Sequence, residues 1–419
     1  MTVAQRIAAI AIVAATAAQA LADDTATRIA DPSFRSLKVQ VADDFFAPPV
    51  IELGGDRQIT VTFDRMREDR DFLRYRLVHC NADWTPSMLV ESEYLDSFND
   101  IPIDDYAFSN NTFIHFTNYR IAFPNENVNP LVSGNYLLQV YDESEPENVL
   151  LQARFGVCEP VMEISGLADA HTDRGVNSDW QQLTLNVDAT QAGVRDLYND
   201  VIVTVEQNIM PDGVVTLRHP QRVEGTQLKY EHLQPLIFRA GNEYHRFETV
   251  RADYPGLNVD SVKYVGPGYH AWLRPDRPMR ERQYAYDQTQ NGRFIVREYN
   301  ASDSDLGADY VTVHFTLQMP QLIDAEVYID GELSQGAPGE RFRMSYDRES
   351  QAYRAEVPLK QGSYNYRYLV VDPKGERDPY FIDGDKHETR NQYTVKTYHR
   401  HPGSRYDRLV GTAVIDAFR

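Results

Sequence analysis

The stretch Tyr310-Val-Thr-Val-His-Phe-Thr-Leu317 places an apolar side chain at every second position. Because successive residues of a β-strand point to opposite faces, this alternation predicts a strand with one buried face. Similar stretches recur, with Gly, Pro, Asn and Asp clusters between them. They are residues 58–63, 75–79, 135–141, 182–187, 201–205, 325–329 and 364–371. Short strands with frequent turns predict an all-β chain of tandem immunoglobulin-like or early-set β-sandwiches.

The length of 419 residues is too great for one typical core and predicts several domains. At the start, Arg6 precedes an apolar run that ends in Ala20-Leu21-Ala22, a pattern typical of a cleaved signal peptide. The acidic, Gly-containing residues 301–308 indicate a linker. We therefore expect a signal peptide (1–22), a first sandwich (23–160), a second (161–300), an early-set-like third (301–398) and a basic tail (399–419).

The charge of the chain restricts its partners. With 62 Asp and Glu against 42 Lys and Arg, the net charge is −20, which disfavours nucleic-acid binding. The acidic runs are typical of solvated loops. The nearest match to a calcium loop, Asp303-Ser304-Asp305-Leu306-Gly307, has its Gly one position early, and His314 stands where the closing Glu belongs. No later segment reaches membrane-spanning length. Together with the predicted signal peptide, this leads us to expect a soluble, exported protein.

No catalytic, cofactor or metal residue is predicted. The chain lacks a Gly-x-Ser-x-Gly elbow, a phosphate-binding Gly loop and a dinucleotide fingerprint. His399 and His401 are close, but they fall in the predicted tail. Neighbouring residues of a strand face opposite ways, so we expect Cys80 in the core and His79 at a rim, not a nucleophile with its base. Cys80 and Cys158 are either two buried thiols or, since export permits it, a disulfide.

Aromatic and basic residues give the candidate partner-binding sites. Trp84 follows a turn and either covers the end of the first core or anchors a partner. Aromatic residues interleaved with acids follow it and suggest an interaction face: Tyr94, Phe98 and Tyr106. The densest basic patch either blocks pairing at a sheet edge or contacts an acidic partner. It consists of Arg274, Arg277, Arg280 and Arg282.

Six blocks at predicted strand ends and turns carry a family resemblance. They are His79-Cys80-Asn81-Ala82-Asp83-Trp84, Ser133-Gly134-Asn135-Tyr136, Gln207-Asn208, Ala240-Gly241-Asn242-Glu243, Ala308-Asp309-Tyr310-Val311 and Lys360-Gln361-Gly362-Ser363-Tyr364-Asn365-Tyr366. In number and order they resemble the plug proteins of the bacterial type IX secretion system. The resemblance implies a periplasmic, non-enzymatic protein. Such a protein docks on the large outer-membrane β-barrel of the translocon and seals its pore until cargo or a shuttle protein is bound.

Two alternatives stay open. The third domain also resembles the early-set sandwich of glycogen-binding modules, through Val327-Tyr-Ile-Asp-Gly331 and the later tyrosines. Those modules place a Trp shortly after this Gly, but Glu-Leu-Ser-Gln follows here and residues 301–398 hold no Trp, so glycan binding is disfavoured. The other alternative is a periplasmic hydrolase, which predicts a concave pocket with converging acids.

Overall fold

The computed structural model describes residues 25–209, 213–335 and 338–418. Strands hold 47% of the residues and helices 4%, which confirms the predicted all-β fold class. The predicted signal peptide, residues 1–22, lies outside the described residues. Within them, no helix is long and apolar enough to cross a membrane.

The strands are numbered in chain order. The first ten are β1 (Arg28–Ile29), β2 (Phe34–Val41), β3 (Val50–Glu52), β4 (Ile59–Arg65), β5 (Leu73–Cys80), β6 (Ile101–Pro102), β7 (Tyr106–Phe108), β8 (Thr117–Phe123), β9 (Gly134–Asp142) and β10 (Val149–Cys158). The next nine are β11 (Glu163–Asp169), β12 (His171–Thr172), β13 (Gly175–Val176), β14 (Trp180–Asp188), β15 (Val201–Gln207), β16 (Val215–Leu217), β17 (Arg222–Glu224), β18 (Gln227–Tyr230) and β19 (Ile237–Arg239).

The remaining strands are β20 (His245–Glu248), β21 (Val259–Val265), β22 (Gly268–Leu273), β23 (Phe294–Val296), β24 (Tyr310–Gln318), β25 (Glu326–Asp330), β26 (Arg343–Asp347), β27 (Ala352–Lys360), β28 (Gly362–Val371), β29 (Arg377–Asp378), β30 (Gln392–His399) and β31 (Arg408–Asp416). The helices are single turns, α1 (Glu91–Tyr94) and α2 (Ser304–Gly307). Three 3-10 turns span Gln234–Leu236, Glu332–Ser334 and Glu340–Phe342.

The first sandwich consists of two sheets. One has the order β1-β10-β9-β5-β6 with β3 added parallel to β10, and the other has the order β2-β4-β8-β7. Aromatic rings fill the core between them: Phe63 stacks on Tyr119 at 5.5 Å, and Tyr136 stacks on Phe155 at 5.7 Å. Such stacked pairs add to the free energy gained by burying the rings.

The second sandwich takes strands from two distant parts of the chain. One sheet has the order β11-β14-β18-β17 with β19 on β14, and the other has the order β16-β15-β30-β31. Strands β30 and β31 therefore return from the end of the chain to pair with β15. Residues 399–419 are not the predicted basic tail, because most of them belong to β31 and the turn before it. Local pattern cannot show which distant strand a segment will pair with.

The third sandwich is a ten-stranded sheet that folds over its own core. Its order is β20-β28-β25-β26-β27-β24-β22-β21, with β23 and β29 on β28. Strand β26 pairs with β25 through its first residues and with β27 through its last, so it joins the two halves of the sheet. Strands β20–β23 precede residue 300, so strand pairing does not follow the predicted boundary there. The predicted linker 301–308 contains α2. This turn contacts the first sandwich, where Asp305 pairs with Lys38.

Candidate functional site

The His79–Trp84 block forms the joint between the first and second sandwiches. Strand β5 ends at Cys80, and the backbone N–H of Ala82 then donates to Oδ2 of Asp407 at 3.0 Å. From the second sandwich, a guanidinium N–H of Arg400 donates to Oδ1 of Asn81 at 3.0 Å. The block thus holds the loop between β30 and β31 against the first sandwich.

His79 lies at the centre of this joint. It is 1% exposed, its Nδ1 lies 2.9 Å from Oγ of Ser87, and its Nε2 lies 3.2 Å from the carbonyl oxygen of Ser133. Since a carbonyl only accepts, Nε2 carries the proton and Nδ1 accepts from the serine hydroxyl. Burial lowers the pKa of His79 to about 4, so the ring is neutral. The predicted rim position was wrong, because the second sandwich covers this end of the strand.

Neither cysteine has the properties of a nucleophile. Cys80 and Cys158 are free and buried, which confirms the reading as two thiols and contradicts the disulfide. Burial raises the pKa of each thiol to about 12. A catalytic cysteine instead needs a lowered pKa, since the thiolate is the reacting form.

A buried ion pair forms the joint between the first and third sandwiches. Nζ of Lys360 donates to Oδ2 of Asp64 at 2.7 Å, and the two side chains are 1% and 0% exposed. The hydroxyl of Tyr310 donates to the same oxygen at 2.7 Å. Nearby, Asp309 accepts the backbone N–H of Phe113 at 2.7 Å. Removing one partner of such a pair leaves an uncompensated buried charge, so the joint tolerates little rearrangement.

Buried amides form the joint at which residues 387–391, the segment leading from the third sandwich to β30, are fixed to the second sandwich. Nε2 of Gln181 donates to the carbonyl oxygens of His387 and Thr389 at 2.8 and 2.7 Å. Nδ2 of Asn391 donates to Oε1 of Gln181 at 2.9 Å and to the carbonyl oxygen of Ala240 at 2.7 Å. Each bond joins segments far apart in sequence, and a fully paired buried network of this kind fixes one arrangement.

The six blocks that carry the family resemblance therefore share a structural role, since every one of them supplies a residue to a joint. The first two blocks hold the second sandwich to the first, where Tyr398 also donates to Asn135. The blocks at 207–208 and 240–243 belong to the joint of the second and third sandwiches, where Gln207 accepts from the Tyr380 hydroxyl and the Gly241 N–H donates to Asp385. The blocks at 308–311 and 360–366 belong to the joint of the first and third.

Trp84 lies at a cleft where all three sandwiches meet. The cleft is open to solvent and has a cavity volume of about 180 Å³. The Trp84 backbone is left-handed, with φ of 65°, and the Arg154 guanidinium lies 4.3 Å from the ring centroid. The ring is half-buried. Trp84 therefore neither covers the end of the first core nor stands fully exposed as a partner anchor. It lines a cleft between domains.

Two carboxyl groups line the same cleft. Burial raises the pKa of both Glu206 and Glu332. Glu332 accepts the backbone N–H of Phe294 at 2.9 Å, and Glu206 interacts with Lys396, whose own pKa burial lowers. These acids stabilise the walls of the cleft, so their raised pKa values have a structural explanation.

An exposed apolar ledge lies beside the first joint. We define it as Met88, Val90, Phe98 and Leu131, with exposed fractions of 66%, 59%, 92% and 49%. The α1 segment carries the first three residues, and Leu131 is attached to it through its N–H, which donates to the carbonyl oxygen of Tyr94 at 2.9 Å. Arg405 of the second sandwich pairs with Glu93 at its border. Several exposed apolar side chains on one segment, with an ion pair at the border, are typical of a protein interaction site.

The other two predicted aromatic residues are less accessible. Tyr94 is 5% exposed, and its hydroxyl donates to the carbonyl oxygen of Leu77 at 3.0 Å. The expectation of an exposed Tyr94 was wrong, because its ring belongs to the first core. Tyr106 is half-buried on β7, where it packs 6.0 Å from Tyr119 under the guanidinium of Arg70.

The four arginines of the basic patch are exposed, in a strand-poor segment after β22. The backbone of Asp276 fastens this segment to β24: its N–H donates to the carbonyl oxygen of Thr316, and its carbonyl oxygen accepts from Gln318, both at 2.8 Å. Arg277 donates to the Gln318 side chain at 3.0 Å, and Arg280 lies over Phe381 at 5.3 Å. The segment is therefore held against the third sandwich with its arginines outward.

A buried histidine, which the sequence did not single out, anchors this segment. Nδ1 of His245 lies 3.2 Å from Oδ1 of Asp276, and Nε2 lies 3.1 Å from Asp383. The hydroxyls of Tyr366 and Tyr368 donate to Oδ2 of Asp276, both at 2.6 Å. The two carboxylates hold the pKa of His245 well above its usual range despite its burial. We call this group the His245 clamp.

A family model for the type 9 secretion system plug protein 1st domain matches residues 34–159. A crystal structure of a hypothetical protein from Parabacteroides merdae ATCC 43184 is 38% identical in sequence. The similarity covers 93% of this chain and 98% of that one, with a TM-score of 0.90. The chain belongs to the type IX secretion system plug protein family. No curated protein matches the sequence.

Membership in the plug family gives the chain a role in type IX secretion, as the resemblance implied. Plug proteins are non-catalytic secretion components associated with the cell envelope. The family match covers the joint block at 79–84, the ledge and Tyr106, while the basic patch lies outside the matched residues.

The calcium-like loop and the His399–His401 pair also have structural explanations. Asp305 of the calcium-like loop pairs with Lys38 at 2.6 Å. His399 is 3% exposed on β30, not in a tail. In the described part of the chain, no group of three or more His, Cys, Asp or Glu residues could hold a metal ion.

Trp272 stands in the third sandwich, because β22 belongs to that sheet. Its ring stacks on His314 at 4.5 Å, and Nζ of Lys263 lies 5.4 Å from the ring centroid. An open aromatic face is what a sugar ring needs for stacking. The stacked arrangement gives no support to the glycan-binding alternative.

Proposed function

We propose that this protein is the periplasmic plug of the type IX translocon, docking on its large outer-membrane barrel and sealing the pore until cargo or a shuttle protein is bound. The observation that carries the proposal is the set of three buried polar joints. A plug must keep its shape over a wide opening, and domains linked by small surface contacts would flex. The buried ion pair at one joint, the fully bonded amides at another and the buried hydrogen bonds of His79 at the remaining one make such flexing costly.

The surface fits a contact that must form and release. Non-obligate interfaces are mixed in polarity, with aromatic and Arg residues enriched. We propose the apolar ledge, with Trp84 nearby, as one contact and the basic patch of Arg274, Arg277 and Arg280 as a second. Tyr106 adds a half-exposed ring to the first sandwich's surface. Tyr94 contributes by supporting the ledge from beneath.

Recovery of the barrel with tagged plug variants tests the docking. The double variant Met88→Gln/Phe98→Ser removes apolar contact area without touching a core. If the ledge lies at the centre of the interface, we expect about tenfold less barrel recovered from mild detergent, the effect of losing about 1.4 kcal/mol of binding free energy.

The matched control is Ile323→Ser, which removes an 88% exposed apolar side chain from the third sandwich. We expect it to leave barrel recovery unchanged, and both variants to keep the native unfolding temperature. Recovery of native plug without any barrel contradicts the proposed function. Equal barrel recovery by the double variant and the control assigns docking elsewhere than the ledge.

A further inference from the structure

Among the residues that the structure describes, two arginines at the joint of the first and third sandwiches have no acidic partner, although the chain has a net charge of −20. Arg35 lies on β2, and Arg341 lies in the 3-10 turn before β26. Nη1 of Arg35 and Nε of Arg341 are fully enclosed and make no hydrogen bond. In the part of the chain that the structure describes, neither guanidinium forms an ion pair with a carboxylate.

The contacts of Arg341 itself, and of Ser36 beside Arg35, place both arginines near the start of β24. Oγ of Ser36, the residue after Arg35, lies 2.7 Å from the hydroxyl of Tyr310. From the other side, Nη2 of Arg341 lies 3.5 Å from the carbonyl oxygen of Pro358, which pairs with Thr312. Burial lowers the pKa of Arg35, and it lowers the pKa of Arg341 to about 10, with the positive charge of Arg35 adding to the effect.

The neighbouring cations show that acids are not scarce in this joint. Lys360 pairs with Asp64, while Lys38 and Arg120 both pair with Asp305. Asp64 stands opposite Arg35 across β2 and β4. Its oxygens already accept from Asn118, Tyr310 and Lys360, so neither arginine has a carboxylate of its own among the described residues. Keeping like charges together away from water is costly unless an anion offsets them.

We propose that Arg35 and Arg341 together bind a small tetrahedral oxyanion of the phosphate class, which bridges the first and third sandwiches. The planar fork of a guanidinium matches two oxygens of such an anion, and two forks hold it from two sides. This site is independent of the docking proposal, because it concerns the joint and not the outer surface.

Thermal unfolding with and without phosphate tests the site. In a buffer of chloride salt at matched ionic strength, replacing chloride by 10 mM inorganic phosphate is expected to raise the unfolding temperature by about 2 °C or more. The double variant Arg35→Gln/Arg341→Gln loses this rise. The control Arg343→Gln keeps it, since Arg343 is exposed and pairs with Glu326.

A second arm distinguishes a free ion from a phosphorylated group. Phenyl phosphate carries the same oxyanion on a bulky ring. Stabilisation by inorganic phosphate alone assigns a free ion to the site, and equal stabilisation by both assigns the terminal phosphate of a larger group. An unchanged unfolding temperature with both, or the same rise in the double variant, overturns the proposal.

A single substitution keeps the test decisive if the double variant fails to fold. Without phosphate, Arg341→Met removes a buried cation from beside another, so we expect it to unfold at the native temperature or above. With phosphate, the same variant is expected to unfold below the native protein. A variant that is less stable by the same amount in both buffers contradicts the site.

Discussion

Gly134 shows most directly how one residue determines a joint. It adopts φ of 152°, and a Cβ added there would lie 2.3 Å from Nε2 of His79. We predict that Gly134→Ala lowers the free energy of unfolding by about 3 kcal/mol, because it crowds a buried ring and strains the backbone. Urea unfolding measures the change.

The control for Gly134 is Gly339→Ala. Gly339 has φ of −80°, and no atom lies within 4 Å of an added Cβ. We expect this variant to match the native protein within about 0.5 kcal/mol. Equal stability of both variants would mean that the joint is looser than its geometry indicates.

The neutral state of His79 makes the first joint sensitive to acid. Its folded pKa is about 4, below the ordinary value of 6.5. The unfolded chain therefore binds the proton more readily, so this stability is complete above pH 6.5 and is lost as pH falls towards 4. We predict that His79→Gln flattens the fall in unfolding temperature between pH 7 and 4.5.

His401 supplies the comparison for that pH series. It is exposed, and its Nδ1 donates to the neighbouring Pro402 carbonyl oxygen at 2.9 Å. His401→Gln is expected to keep the native pH dependence. If His79→Gln also keeps it, His79 is not the group that titrates.

The sequence showed which residues were distinctive but not where their side chains go. Alternation placed Cys80 correctly in the core. It misplaced His79, whose burial comes from the 400–407 loop. The clustering of aromatics with acids suggested an interaction face at Tyr94, but the ring of Tyr94 belongs to the first core. A strand pattern reports only the two faces of its sheet, so the covering of a strand end by another domain leaves no local signal.

Among the elements, the segment with the basic patch depends on the His245 clamp. The clamp joins it to β20 through Asp276, and Asp383 also accepts the backbone N–H of Met279 at 3.4 Å. We predict that His245→Gln releases the segment, because both carboxylates lose their cation. A protease that cuts after Arg should then cleave faster at Arg280 and Arg282, as Pro follows the other two arginines.

His232→Gln is the matched variant, since His232 pairs with Asp173 on the surface of the second sandwich. Its cleavage rate should equal that of the native protein. The raised pKa of His245 also gives the sign of the pH effect: the charge is present at and below neutral pH and is lost as pH rises through the folded pKa. An unchanged cleavage pattern in His245→Gln would show that backbone bonds alone hold the segment.

The strands themselves were predictable from the sequence, and their assembly was not. The stretch at 310–317 forms β24 with the alternating burial expected of it. By contrast, β20–β23 join the third sandwich and β30–β31 join the second, across the predicted boundaries at 300 and 398. Pairing partners far apart in sequence depend on the whole fold, which a pattern of period two does not encode.

At the scale of the whole molecule, the family-like blocks and the joints coincide. The blocks that carry the family resemblance thus lie where the sandwiches of this chain are fastened together. We take the relative positions of the three sandwiches to be the property on which the function depends.

Entry of a small hydrophilic antibiotic into cells tests the central claim most directly. Uptake should be compared among cells with the native protein, cells lacking it, and deletion cells carrying Met88→Gln/Phe98→Ser or Ile323→Ser. The account predicts faster uptake in the deletion and in the double variant, and native uptake with Ile323→Ser. Native uptake in the deletion would contradict it, because an unplugged pore wide enough for folded cargo must leak.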